Sequence, residues 1–203
     1  MPEKNPAPLI LASVSPRRRR LMSEAGYEFT VVPPEVDESS FAADQASPVE
    51  YAKRLALAKA KSVAGRHPDS FVIGADTIVD FRGRIIGKAA DAEEAKQITR
   101  KLFSEPHKVI TGVAIVRLSD GTELVQSDST TVYPRKMTAG QIANHVKGGS
   151  WRDKAGAYAI QETGDEFVEK IEGSLTNVMG LPMELLESLL AGLKISVKKK
   201  PTN

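Results

Sequence analysis

The strongest constraint on this fold lies near the start of the chain, where a short apolar run leads directly into a serine, a proline and four arginines. Residues 9–12 read Leu-Ile-Leu-Ala, a continuous apolar pattern that is typical of a buried strand. Ser15 can cap a helix, and Pro16 suits the first helical position because its missing N–H would have no partner there. A buried strand that turns at once into a capped helix predicts an α/β fold.

The rest of the chain continues this alternation of strand and helix patterns. Residues 35–46 are acidic and polar and predict a loop, and an Asp-Gly pair predicts a hairpin between two long strands. The expected strands are 9–12, 29–32, 70–79, 109–118, 122–133, 157–161 and 167–171; the expected helices are 16–25, 48–65, 91–103, 138–147 and 181–193, with a hairpin return at 81–86. This order predicts an α/β mixed sheet with flanking helices, forming a single domain over residues 1–203 with frayed tails at 1–7 and 195–203.

Composition excludes several classes of function. The 203 residues include 28 Lys and Arg against 26 Asp and Glu, which is too balanced for a dedicated nucleic-acid binder. No cysteine is present, so disulfides, thiolate catalysis and cysteine-based metal sites are excluded. The three histidines are widely spaced and show no ligand pattern. No targeting segment or apolar run of about 20 residues appears, and we expect a soluble, cytoplasmic protein without a membrane partner.

The turn at the start of the first helix is a candidate phosphate site. A helix N-terminus presents unpaired N–H groups and a partial positive charge, and arginine adds forked hydrogen bonds to phosphate oxygens. Ser13, Ser15, Arg17 and Arg18 lie at this end. We expect Arg17 or Arg18 to face the ligand and one of the next two arginines to face solvent. The alternatives are a capped helix with a solvated basic face, or a nucleic-acid contact.

An aspartate inside an apolar strand is the second candidate. Asp76 stands in the Gly-Ala-Asp-Thr stretch of residues 74–77, where an unpaired buried carboxylate would cost several kcal/mol. It should therefore have a partner, a metal or a catalytic role, and the alternative is a structural aspartate paired with a nearby lysine. Thr77 would point to the opposite face of a regular strand.

Three further segments carry weaker signals. The carboxylates within residues 35–38 suit Mg²⁺ or Mn²⁺, although exposed acidic loops are common. Lys59 and Lys88 are by default surface lysines. Gln161 could recognise the edge of a nucleotide base through its donor and acceptor, or make an ordinary loop hydrogen bond.

Taken together, these segments resemble the Maf family of nucleoside triphosphate pyrophosphatases over about residues 9–190. Eight motifs in the same order are far more specific than any one alone. They are the SxSPRR-type opening (13–18), the VDE loop (36–38), the Leu-Ala-Lys-Ala stretch (57–60), GADT (74–77), GK (87–88), HxVxTG (107–112), DKAGAYxIQ (153–161) and NVxGLP (177–182).

The resemblance implies an elongated, two-lobed, ITPase-like domain around a central cleft, and hydrolysis of a nucleoside triphosphate to the monophosphate and pyrophosphate. It also implies a divalent metal, Mg²⁺ or Mn²⁺, held by Glu38 and Asp76, with Asp76 as the proton acceptor that activates water. The residues implied in catalysis are Asp76, Lys59, Lys88 and Glu38. Those implied in substrate binding are Ser13, Ser15, Arg17, Arg18, Thr77, Gln161 and Lys154, of which Arg17, Thr77 and Gln161 match positions tied to substrate choice.

GADT together with Gln161 resembles the branch that acts on dTTP and UTP, with house-cleaning of non-standard nucleotides as a further implied role. Two positions depart from the family pattern: Ala89 stands where proline is common, and Glu162 stands where glycine is common. The resemblance also suggests a homodimer, and we expect no stable nucleic-acid complex. The alternative hypothesis is a non-catalytic nucleotide or nucleic-acid binding regulator linked to septum formation.

Overall fold

A seven-stranded sheet with helices on both faces carries the candidate site. The computed structural model describes residues 8–41, 46–152, 154–158, 160 and 167–193. The strands are β1 (Leu9–Ala12), β2 (Thr30–Val32), β3 (Phe71–Phe81), β4 (Arg84–Ile86), β5 (His107–Arg117), β6 (Thr122–Pro134) and β7 (Val168–Glu172). The helices are α1 (Pro16–Glu24), α2 (Pro48–Ala64), α3 (Ala92–Leu102), α4 (Ala139–Gly148), α5 (Leu175–Met179) and α6 (Met183–Gly192), with a 3₁₀ turn at Glu38–Ser40.

The sheet is mixed, as the sequence predicts. Its strand order is β2-β1-β3-β5-β6-β7, and β4 pairs with the far end of β3. β1 runs parallel to β2 and β3, whereas the pairings of β3 with β4 and β5, of β5 with β6 and of β6 with β7 are antiparallel. The predicted α/β class with a mixed sheet and flanking helices is therefore confirmed.

One edge of β3 changes partner halfway along its length. β1 pairs with β3 as far as Gly74, and β4 pairs with β3 only from Val79 onwards. Neither strand covers this edge at residues 75–78. Clefts of this kind, beyond the carboxyl end of a strand, are where open α/β sheets bind ligands.

Alternate strand residues build a core on each face of the sheet. One face packs against α1 and α6, and the other packs against α2. The first core includes Leu11, Ile73, Val113, Ile115, Met22, Leu186 and Leu190; the second includes Ile10, Val72, Ala114, Ala56, Ala60 and Val63.

Helix α2 lies unusually close to the sheet because two strand positions have no side chain. A Cβ atom at Gly74 would lie 2.3 Å from the carbonyl oxygen of Ala56, and one at Gly112 would lie 2.4 Å from that of Ala52. Both distances are far below van der Waals contact, so only glycine fits at either position. The close approach brings Lys59, on the same helix, over β3.

Two expectations near the C-terminus differ from the structure. The strand expected at 157–161 is wrong for its described residues: Ala157 lies in a turn and Ile160 is helical, while 159 and 161 lie outside the described residues. Gly156 (φ +73°) and Ala157 (φ +58°) have left-handed backbone, which ends any strand. Helix α5 was not predicted, and the last helix begins at Met183 instead of Leu181 because Pro182 forms its N-cap.

The expected tails, 1–7 and 195–203, lie outside the described residues. Among the helices that are described, none combines the length and the apolar character needed to cross a membrane.

Candidate functional site

A cavity of about 660 Å³ opens beside the unpaired edge of β3. It brings together the turn before α1, the 3₁₀ turn, α2, β3 and the loops after β4 and α4. Of the predicted site residues, its wall contains Ser13, Ser15, Arg17, Arg18, Glu38, Lys59, Asp76, Thr77, Lys88 and Lys154. Gln161 lies outside the described residues. The phosphate-site turn and Asp76 therefore share one cavity.

The turn before α1 is shaped by its two serines. The buried Ser13 hydroxyl accepts a hydrogen bond from the backbone N–H of Ser15 at 3.1 Å. Ser15 in turn caps α1, because its hydroxyl accepts from the N–H of Arg18 at 3.4 Å. The positive end of α1 therefore faces the cavity, as phosphate binding requires.

The side chain of Arg18 joins three parts of the site. Its Nε donates to the Gly180 carbonyl at 2.7 Å, Nη1 to the Ala75 carbonyl at 2.8 Å and Nη2 to the Thr77 hydroxyl at 3.0 Å. Removal of the guanidinium from water lowers the pKa of Arg18, and the nearby Asp76 charge opposes that shift. Arg18 thus connects α1 to the free edge of β3 and to the end of α5.

The other arginines divide as the helical turn dictates. Arg17 lines the cavity, whereas Arg20 lies in solvent and pairs with Glu24 at 2.7 Å. This arrangement agrees with the expectation that one of the first two arginines faces the ligand and one of the next two faces solvent. Arg18 is hydrogen-bonded to the protein, so Arg17 is the arginine that could contact a ligand.

At the centre of the site, two carboxylates share one ammonium group. Nζ of Lys59 lies 2.6 Å from Oδ1 of Asp76 and 2.7 Å from Oε1 of Glu38. Lys59 and Asp76 are only 8% and 7% exposed, so each depends on the other to compensate a buried charge. Partial burial acts to raise the pKa of Glu38, but the hydrogen bond and charge of Lys59, together with the charges of Lys88 and Arg18, hold it below its ordinary value.

Of the three carboxylates within residues 35–38, which the structure describes in full, Glu38 alone lines the cavity. Asp37 caps the 3₁₀ turn by accepting from the N–H of Ser39 at 3.0 Å and from its hydroxyl at 2.6 Å. Glu35 pairs with Arg66 at the surface. Residues 35–38 therefore contribute one carboxylate to the cavity, while Asp37 caps the turn and Glu35 ties the loop to the end of α2.

The donor set fits a divalent cation that is shared with the phosphate group of a ligand. Among the described residues, no group of three or more His, Cys, Asp or Glu side chains could hold a metal alone. Mg²⁺ is usually held by one or two carboxylates together with substrate phosphates, and Glu38 and Asp76 match this pattern. The Asp76–Lys59 pairing also matches the structural alternative, a buried aspartate with a lysine partner.

Two loops bring further lysines to the cavity. Lys88 forms an isolated β-bridge with Ala155, and the N–H of Gly156 donates to the Gly87 carbonyl at 3.1 Å. The ammonium of Lys154 donates to the carbonyl of Ser150. The bridge therefore keeps Lys88 and Lys154 on neighbouring loops of one wall.

The rest of the cavity wall is mostly apolar, and its residues were not predicted to be site residues. It contains Val79, Val109, Tyr158, Ile160, Val178 and Met179. The hydroxyl of Tyr158 lies 2.8 Å from Nε2 of the buried His107. Burial raises the pKa of Tyr158 and lowers that of His107 to about 4, so both groups are neutral at physiological pH. The DKAGAYxIQ and NVxGLP motifs contain several of these residues, but nothing in the local pattern shows that they meet.

Comparison with known proteins gives a consistent result. The sequence profile of the Maf-like proteins matches residues 8–193. A dTTP/UTP pyrophosphatase of Symbiobacterium thermophilum is 44% identical over 182 residues, covering 90% of this chain and 92% of that protein. Proteins of the same description from Citrifermentans bemidjiense (42% over 182 residues; 89% and 93% covered) and Bdellovibrio bacteriovorus (41% over 188 residues; 90% and 97% covered) are similar to it.

Proposed function

This chain belongs to the Maf family, and on that premise we propose that it hydrolyses dTTP and UTP to the nucleoside monophosphate and pyrophosphate. The relatives described above are named for this activity. The observation that carries the proposal is the meeting of Asp76, Lys59 and Glu38 with the N-terminus of α1 in one cavity.

The triphosphate would lie along the turn before α1. The helix N-terminus, Arg17 and the hydroxyls of the turn supply donors there, and Lys88 and Lys154 add positive charge to the same cavity. Fixed donors and charges of this kind stabilise the negative charge that develops during phosphoanhydride cleavage.

Asp76 would act as the proton acceptor. Its carboxylate lies at the free edge of β3, where Lys59 holds one oxygen at 2.6 Å. A held carboxylate can orient a water molecule and take its proton as the water attacks the α–β phosphoanhydride linkage. The new P–O bond forms to the water oxygen, the anhydride bond breaks, and pyrophosphate leaves with the bonding electron pair.

Glu38 and Asp76 would hold Mg²⁺ or Mn²⁺, and the bound ion would supply charge neutralisation for the phosphates. The hypothesis of a non-catalytic phosphate binder explains the site less well, because two carboxylates in the cavity would repel a triphosphate unless they serve a cation or the reaction.

The test is a hydrolysis panel with pyrophosphate detection, using dTTP, UTP, CTP, ATP, GTP and 7-methyl-GTP with Mg²⁺ and with Mn²⁺. We expect dTTP and UTP to be the best substrates; equal rates for the purine nucleotides would overturn the substrate assignment.

Asp76→Asn should lower kcat by orders of magnitude with a modest change in KM. Asp80→Asn is the matched control, since Asp80 lies on the same strand outside the cavity and its Oδ1 only accepts from the N–H of Gly83 at 2.7 Å. A near-normal rate for Asp76→Asn would remove Asp76 from the proton-acceptor role.

A further inference from the structure

The free edge of β3 has a backbone carbonyl without a strand partner. Phe71 begins β3, and its N–H donates to the Pro8 carbonyl at 2.9 Å, on the side where β1 lies. Alternate residues of a strand direct their peptide groups to the same side, so the Ala75 carbonyl points to this side as well. The pairing of β1 ends at Gly74 and that of β4 begins at Val79, so neither strand reaches this carbonyl.

Arg18 supplies the hydrogen bonds that a neighbouring strand would otherwise make at this edge. Its Nη1 donates to the Ala75 carbonyl at 2.8 Å, and its Nη2 donates to the Thr77 hydroxyl at 3.0 Å. The two acceptors belong to the residues immediately before and after Asp76. The guanidinium group therefore holds β3 on both sides of the residue that carries the reactive carboxylate.

The third nitrogen of the guanidinium group binds a separate segment. Nε of Arg18 donates to the Gly180 carbonyl at 2.7 Å. Gly180 ends α5 with φ +115°, and a Cβ atom there would lie only 3.5 Å from the Thr77 hydroxyl and 3.6 Å from Nε. The planar group is bonded through all three nitrogens, so its orientation relative to β3 and α5 is fixed.

The position of the Asp76 carboxylate depends on this support. Side chains alternate along a strand, so the carboxylate lies on the opposite face from the Thr77 hydroxyl, where Nζ of Lys59 is 2.6 Å from Oδ1. A shift of β3 at its free edge would move the carboxylate relative to Lys59 and to a bound phosphate. A misplacement of about 1 Å can reduce a reaction rate about 100-fold.

The first two arginines of α1 differ in what they contact. Both line the cavity, but each nitrogen of the Arg18 guanidinium group already donates to the protein. No hydrogen bond joins Arg17 to another of the described residues. A phosphate bound to Arg18 in the forked manner typical of arginine would compete with the bonds to β3 and α5, whereas Arg17 has no such bonds to lose.

We propose that Arg18 is a positioning residue, whose guanidinium group takes the place of the missing strand at the free edge of β3 and holds Asp76 in position for the reaction. It does not bind the triphosphate. The inference rests on the proposed function, in which Asp76 accepts the proton. It extends that function by giving different tasks to Arg17 and Arg18, for both of which the family resemblance implies substrate binding.

The experiment separates catalysis from binding in Arg18→Lys. Lysine keeps the positive charge but lacks the planar fork that joins three acceptors. We expect kcat for UTP, per folded molecule, to fall about 100-fold. The Kd of a UTP analogue with an NH group in place of the α–β bridging oxygen, measured by calorimetry with Mg²⁺, should stay within about threefold of the wild-type value.

The same replacement at two neighbouring positions provides the comparison. Arg17→Lys should weaken binding of the analogue about tenfold, because lysine cannot form the forked contact with phosphate. Arg20→Lys is the control that should change neither quantity, since Arg20 lies in solvent and pairs with Glu24. Urea unfolding of each variant gives the folded fraction to which kcat is referred.

Two results would overturn the inference. A tenfold or larger weakening of analogue binding in Arg18→Lys would make Arg18 a phosphate ligand, and an unchanged kcat in that variant would show that Asp76 does not need its support. Absence of any UTP hydrolysis by the wild-type protein would instead refute the proposed function itself.

Hydrogen exchange in the wild-type protein gives a test that does not depend on folding of a variant. Nuclear magnetic resonance of the arginine side chains follows each Nε–H separately. The Nε–H of Arg18, held on the Gly180 carbonyl, should exchange with solvent at least tenfold more slowly than that of the exposed Arg19, with and without the UTP analogue. Equal exchange rates for the two arginines in the free protein would refute the anchoring of the guanidinium group.

Discussion

Replacement of Gly74 by alanine tests how the position of α2 creates the site. The added Cβ would lie 2.3 Å from the Ala56 carbonyl oxygen, 2.7 Å from the backbone nitrogen of Ala60 and 3.0 Å from its Cβ. Two of these atoms are helix backbone and cannot rotate aside. Restoring van der Waals contact requires α2 to move from β3 by about 1 Å.

The size of the effect follows from that displacement. Overpacking of a core costs about 1–3 kcal/mol, and we expect about 3 kcal/mol because the obstacle is backbone. Lys59 lies on the displaced helix, so its 2.6 Å contact with Asp76 would lengthen. A misplacement of about 1 Å in an active site can reduce the rate about 100-fold.

Urea unfolding and kcat/KM for UTP measure the two effects separately. Gly65→Ala is the control, because Gly65 ends the same helix in right-handed backbone and an added Cβ would lie 3.7 Å from the Lys61 carbonyl oxygen, an ordinary contact. A Gly74→Ala protein with wild-type stability would refute the close packing of α2. A destabilised variant whose folded fraction keeps full activity would refute the dependence of the chemistry on the position of this helix.

Two other substitutions probe the site and the core. Lys59→Met should tighten Mn²⁺ binding in the absence of nucleotide, measured by electron paramagnetic resonance, because the ammonium no longer competes for Glu38 and Asp76. Lys61→Met, which removes only an exposed pair, should not; equal affinities in the two variants would contradict this competition. Burial lowers the pKa of His107 from 6.5 to about 4, so between these values the unfolded chain binds more protons than the folded protein. The free energy of unfolding should therefore fall as pH drops through this range, by roughly 3 kcal/mol at most. His107→Gln should flatten that part of a urea-unfolding pH series, and an unchanged slope would show that other groups cause it.

Helix starts were predictable because they depend on a few neighbouring residues. Ser15, Ser47, Asp91 and Thr138 each accept a hydrogen bond from a backbone N–H three residues on, as their sequence context predicts. Thr138 also forms a capping box with Gln141. Alternation and turn signals predicted the long strands for the same reason, since their patterns are local.

The segment after α4 shows where local patterns fail. Residues 157–161 look apolar enough for a strand, but Gly156 and Ala157 have positive φ and turn the chain into the cavity wall. Helix α5 is only five residues long and is stabilised by contacts to β5 and β6, including those of Asn177. Such contacts join residues far apart in the chain, so no short pattern predicts them.

The amino-acid sequence alone predicts the fold class, the helix caps, the candidate phosphate turn and the need of Asp76 for a partner. Each of these predictions depends on chemistry within one short segment. Lys59 illustrates what was left to the folded protein: by default a surface lysine, it lies between two carboxylates because glycines on neighbouring strands let α2 approach. The hydrogen-bonded contacts from Thr77 to Thr111 and from Thr111 to the Asn177 carbonyl likewise join distant segments. Electrostatic and hydrogen-bond interactions act over a few ångströms in space, and only tertiary packing decides which groups meet there.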